Sequence, residues 1–118
     1  MFDGIYFDES PFPEDDVRYF QTKSLDNCME QYRVSKDKEF QVSEYKMREP
    51  TEEEQQEING MKLPLAIKQH VKWADTDITG TLEAHNKVNN IWYSIQIIVI
   101  YGKVVKITTH KVDLPNDN

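Results

Sequence analysis

The chain has one cysteine, Cys28, in 118 residues. That excludes an internal disulfide and suits a reducing compartment. It has four glycines, too few and too scattered for a loop that cradles phosphate. Met1-Phe2-Asp3-Gly4 lacks the basic start and apolar run of a secretory signal, so none is expected. The longest unbroken apolar run, Ile97 to Tyr101, is far too short to cross a bilayer as a helix. No Ser nucleophile elbow and no Cys–His pair with a local catalytic signature occurs. Asp75-x-Asp77 opens like a calcium loop, but the downstream glycine and glutamate are missing and turn chemistry explains it better. His70, His85 and His110 fall on three separate strand-like segments, without short metal-ligand spacing. These absences argue against an enzyme and against a resident metal or cofactor.

Basic charge is also scarce. There are 21 acidic and 14 basic side chains, a net charge of −7. The imbalance sits in residues 1–60, with 16 acids and 7 bases, whereas residues 61–118 hold 5 acids and 7 bases. An acidic chain is repelled by nucleic acid and by anionic membranes. The lysines of the second half could form a weak basic groove, but the first half opposes it. An acidic face on an ordinary fold is the plain reading; the sharper one is a face aimed at a basic partner.

What is present in abundance is β pattern. Asn90 to Val112 is the densest run of β-branched and aromatic residues, and it is interrupted by Tyr101-Gly102. This reads as a β-hairpin around which the rest is organised. Two registers compete. A two-residue turn pairs Ile100 with Lys103 and Ile97 with Lys106; a three-residue turn pairs Ile97 with Ile107 and Val99 with Val105. Ile95 to Ile100 is apolar on both faces, which suits an interior strand.

Earlier segments supply the partners that an isolated hairpin needs. Gly4–Asp8 is a candidate strand, and Pro11-Phe12-Pro13 is a tethered extended segment. Val17–Lys23, Met29–Val34 and Glu39–Met47 are expected to form a meander with one apolar face. Thr51 with Glu54 is a capping box that opens a short helix near 51–58, ended by Asn59-Gly60. Ile67–Trp73 and Thr79–Asn86 alternate as half-buried strands. The expectation is one domain over residues 1–118, mainly β. It would be an antiparallel meander or sandwich, a strongly bent sheet or a small barrel, with that one short helix.

Certain features arrive in a recognisable order: an opening Met1-Phe2-Asp3, then Phe20-Gln21-Thr22-Lys23-Ser24-Leu25-Asp26-Asn27-Cys28-Met29-Glu30-Gln31-Tyr32. Thr79-Gly80-Thr81-Leu82 follows, and then the hairpin Trp92-Tyr93…Tyr101-Gly102-Lys103. In these the chain resembles small acidic proteins encoded by bacteriophages and prophages, better at its two ends than over residues 48–65. The resemblance implies an accessory protein made in the cytoplasm of a bacterial host, and it carries no catalytic motif.

The expected function is non-enzymatic binding to a host or viral protein with a basic surface, perturbing a defence or nucleic-acid-handling complex. The expected acidic face comprises Asp8, Glu9, Glu14, Asp15, Asp16, Glu52, Glu53, Glu54 and Glu57. The alternative is a nucleotide-like small ligand held in a barrel or sandwich by Trp73, Trp92 and Tyr93, with a lysine at the mouth. An exposed edge strand could also pair two copies.

Overall fold

The computed structural model describes residues 2–49, 51–53 and 67–115. In chain order its strands are β1 (Asp3–Phe7), β2 (Tyr19–Thr22), β3 (Gln31–Val34) and β4 (Phe40–Arg48). They are followed by β5 (Ile67–Asp75), β6 (Gly80–Val88), β7 (Ile91–Ile100) and β8 (Lys103–Asp113). All eight belong to one sheet, ordered β5-β4-β3-β1-β2-β6-β7-β8. The molecule is mainly β. Of the helix expected near 51–58, Glu52 and Glu53 are helical, and residues 54–58 lie outside the described residues.

The meander forms only in its second half. β3 pairs with β4 as expected, but β1 lies between β2 and β3, antiparallel to the first and parallel to the second. The sheet is therefore mixed rather than wholly antiparallel. The reason lies in β1 itself. Ile5 and Phe7 are fully buried, and only Tyr6 of the strand is exposed. Burying each such side chain contributes about 2 kcal/mol, which an edge position would partly forfeit.

The connection from β2 to β3 must then pass the start of β1, and Asp3 organises it. Its carboxylate accepts backbone N–H bonds from Asn27 at 2.9 Å, Cys28 at 3.1 Å and Glu30 at 2.8 Å. Asn27 and Met29 take positive φ, 56° and 61°, to aim those N–H groups inward.

The sheet curls strongly. The first residues of β4 meet the turn between β7 and β8, although β4 is second in the sheet and β8 is last. Phe40 N–H donates to Gly102 O at 2.8 Å, Val104 N–H donates to Lys38 O at 2.8 Å, and Glu39 bridges Lys103. The curl encloses one apolar face. Phe7 meets Phe20 edge-on at 5.5 Å, Phe12 meets Tyr93 edge-on at 4.9 Å, and Tyr32 stacks on Phe40 at 5.3 Å. From β7 this face takes Tyr93, Ile95, Ile97 and Val99; Ile98 is half-buried and Ile100 exposed on the other face. The strand is interior, but its apolar run is buried on one side only.

Both proposed registers of the last hairpin contribute. Tyr101 and Gly102 form a two-residue turn with φ of 46° and 76°, both positive as a type I′ turn requires. Ile100 accordingly pairs with Lys103 and Val99 with Val104. A bulge at Val105 then shifts the ladder by one residue, so that Ile97 pairs with Ile107. The turn supplies the first register, and burying Ile97 opposite Ile107 supplies the second. The other edge strand has the same device. Glu44 pairs with Lys72 and Tyr45 with His70, which leaves Val71 as the extra residue.

Candidate binding surfaces

The loop between β1 and β2, residues 8–18, is tied by its own hydrogen bonds and by two buried side chains. Phe12 and Val17 pair and are buried beneath it. Phe12 N–H donates to Ser10 Oγ at 3.0 Å, while Asp15 and Asp16 N–H groups both donate to Phe12 O, at 3.0 and 2.9 Å. Arg18 Nη1 closes the base by donating to Asp8 O at 2.6 Å. Asp8, Glu9, Glu14, Asp15 and Asp16 all lie on this loop.

Three of these acids have cationic partners within the chain. Asp8 accepts the Lys36 N–H at 3.1 Å and lies 3.9 Å from Arg33. Asp16 meets Arg18 at 2.8 Å. Asp15 accepts from Lys111 Nζ of β8 at 2.7 Å. That hydrogen bond holds the Asp15 carboxyl below its ordinary value and raises the Lys111 ammonium above its own. Burial pushes the Tyr93 phenol beside them upward, and the Asp15 charge adds to the shift. Glu9 and Glu14 are exposed. Glu52 and Glu53 are exposed too, but they follow Arg48, the end of β4 remote from this loop, because β4 runs antiparallel to β3 and β3 parallel to β1. Glu54 and Glu57 lie outside the described residues.

Trp73, Trp92 and Tyr93 do not converge. Trp92 and Tyr93 are neighbours on β7 and so point to opposite faces; Tyr93 is buried in the core. Trp73 is on β5, at the far edge of the sheet. There Arg33 lies over its ring at 5.2 Å, and His70 packs against it at 4.8 Å. Arg33 donates to Gln41 Oε1, Gln41 Nε2 donates to Asp75 at 2.9 Å, and Ser43 Oγ bonds His70 Nδ1. This polar sheet face is satisfied by its own members.

Trp92 lines a shallow groove across the outer face of β6, β7 and β8, with a volume of about 470 Å³. His85, Ser94 and His110 form one cross-strand row on its floor. His85 stacks on Trp92 at 4.6 Å with planes 16° apart, and Glu83, Gln96 and Thr108 complete the polar lining. Lys87, the cross-strand neighbour of Trp92, stands beside it. Two smaller hollows flank β8. One, about 180 Å³, lies between Pro11-Phe12-Pro13 and the side chains of Thr109 and Lys111. The other, about 340 Å³, lies against Lys38 and Val104–Ile107.

No family model, curated protein or solved structure matches this chain. The surfaces must therefore be interpreted from their own chemistry. Two of their features were not singled out in the sequence. The His85–Ser94–His110 row needs the register of both hairpins. Counting back from the turn at Tyr101-Gly102 would place Ser94 opposite Thr109; the bulge at Val105 makes the partner His110. Arg33 over Trp73 depends on pairings across three strands, β3, β4 and β5, and no local pattern marks it.

Proposed function

We propose that the chain is a non-catalytic binding protein whose β1–β2 loop docks on a basic surface of a protein partner. The observation that supports it is the construction of the loop. Its backbone is closed by its own hydrogen bonds and pinned by buried Phe12 and Val17, while Glu9 and Glu14 are exposed. A pre-built loop loses little entropy on binding. Exposed carboxylates on a chain of net charge −7 speed encounter with a basic partner more than they add affinity. The acids that matter are therefore Glu9 and Glu14, since Asp8, Asp15 and Asp16 are engaged with groups of the chain itself. The resemblance to phage and prophage proteins supports a setting inside an infected bacterium, with a defence or nucleic-acid-handling complex as the target.

The test is affinity capture from infected bacterial lysate at low salt, comparing the native chain with Glu9→Lys/Glu14→Lys and Glu9→Gln/Glu14→Gln. A partner that the native chain retains, the glutamine form holds more weakly and the lysine form loses supports the reading. Capture indifferent to both substitutions, or no partner at all, refutes it.

The groove beside Trp92 favours a second reading, a planar small ligand lying against the indole with Lys87 near its anionic end. Titrating AMP into a Trp73→Phe variant would quench or shift the remaining Trp92 emission if this holds. A flat titration excludes it for nucleotides.

A further inference from the structure

We infer that the free edge of β8 is a docking site for an acidic, extended segment of a partner protein, which adds to the sheet as a further strand. This goes beyond the loop reading and uses a different surface. β8 is the last strand of the sheet. Its start is already partly covered, since Lys38 O accepts the Val104 N–H and Glu39 bridges Lys103. From Lys106 to Asp113 the strand is regular against β7 and faces no other strand among the described residues. That is eight residues of edge, enough for strand addition, in which main-chain bonds supply affinity and alternate side chains supply specificity.

Side-chain alternation along β8 defines what would fit. Lys106, Thr108 and His110 share the outer face; Ile107 and Thr109 share the inner one. The outer groove reaches Thr108 and His110, the inner hollow beside Phe12 reaches Thr109 and Lys111, and the edge hollow reaches Val104–Ile107. All three depressions thus border this one strand. An incoming strand with carboxylates toward Lys106 and His110 and small apolar groups toward Ile107 and Thr109 satisfies both faces.

The charge argument is specific to this edge. β8 carries three lysines and one histidine against the single acid Asp113. Two of the lysines already hold carboxylates from elsewhere in the chain: Glu39 on Lys103 at 3.3 Å and Asp15 on Lys111 at 2.7 Å. Lys106 lies between them and is exposed. Pairing β8 with a second copy about Thr108 would set Lys106 opposite His110, a juxtaposition of bases that an acidic segment avoids. β5 is a poorer edge, because its bulge at Val71 falls in mid-strand and splits the ladder.

The experiment uses a fluorescein-labelled peptide of alternating Glu and Val, with a Lys–Val peptide and a proline-interrupted Glu–Val peptide as controls. Anisotropy at low salt measures binding, and amide hydrogen exchange locates it. The Glu–Val peptide should bind and slow exchange of amides within 106–113. Both control peptides and the Lys106→Glu variant should bind about ten-fold more weakly, with Lys106→Gln intermediate. Absence of binding, equal affinity in Lys106→Glu, or protection confined to another strand would overturn the proposal. So would a peptide-free dimer with those same amides protected. Glu9 and Glu14 are untouched throughout, so the loop reading stands or falls separately.

Discussion

The two parts of the sheet are assembled by different means. β6, β7 and β8 are consecutive in the chain and adjacent in the sheet, joined by the two-residue turns Asn89-Asn90 and Tyr101-Gly102. All four turn residues have positive φ, and the ladders they start run for nine and ten registered pairs. β1, β2 and β3 are neighbours out of order, and their ladders hold only four pairs each. The ladder joining the two parts, β2 to β6, holds two. Where backbone pairing is that short, side chains take over: Thr22 Oγ1 donates to Glu83 O at 2.6 Å, Asn86 Nδ2 donates to Tyr19 O at 3.0 Å, and Ser24 Oγ accepts the Glu83 N–H at 3.0 Å. Long local ladders tolerate loss of a side chain; short non-local ones depend on it.

The largest test of that contrast is at the point where the two parts touch end to end. Gly102 is buried, with φ of 76°. Its N–H donates to Ile78 O at 2.9 Å and its carbonyl accepts from Phe40. A Cβ there would be driven into the carbonyl oxygen of Thr76. Gly102→Ala should therefore cost about 4 kcal/mol in denaturant unfolding, combining positive-φ strain with a backbone clash. A cost near the ~1 kcal/mol expected for a freely exposed turn would mean that the turn does not lock the curl.

Next in size is Asp3, on which the out-of-order part depends. Asp3→Ala leaves three backbone N–H groups in the 27–30 connection without their acceptor. The expected loss is about 3 kcal/mol, since hydrogen bonds to a charged group are the stronger kind and stranded donors add to the cost. Exchange of the 27–34 amides should accelerate while the β7 amides keep their relative protection. Uniform acceleration throughout the sheet would show that the two parts are less distinct than their ladders indicate.

Legibility in the sequence follows the same division. The hairpin at Tyr101-Gly102 and the strand segments could be placed from alternation and turn residues, because those signals are local. The insertion of β1 could not. It turns on Asp3, whose partners lie 24 to 27 residues away, and no spacing rule relates a carboxylate to the N–H groups of a distant loop. The bulge at Val105 was hidden for a related reason: it is a compromise between the Tyr101-Gly102 turn and the buried Ile97, visible only when both are known. Of the acids, composition showed that they were many, but not that Asp8, Asp15 and Asp16 have cationic partners in the fold. Their partners Arg33 and Lys111 are brought near by the order of the strands, as is the outer row of His85, Ser94 and His110.

The smallest effect should come from Asp15 and Lys111, which link the loop of one part to β8 of the other across the surface. Both are substantially exposed, so solvent and salt screen the pair. The sign with pH is nevertheless fixed. Asp15 is held below its ordinary 3.8, so its contribution is present above that value and is lost as pH falls through the lower folded one. Lys111 is raised above its ordinary 10.5, so its contribution is present below 10.5 and is lost as pH rises through the higher folded value. Native chain and Asp15→Asn should therefore differ slightly in unfolding midpoint on the plateau between these limits. The difference should close toward the acid and alkaline ends and shrink in added salt. In the variant, Lys111 should titrate closer to its ordinary value by side-chain NMR. A midpoint difference that persists unchanged in strong acid would place the role of Asp15 in the hydrogen bonding and packing of its uncharged side chain rather than in its charge, and the tie between the two parts would then not be an ionic one.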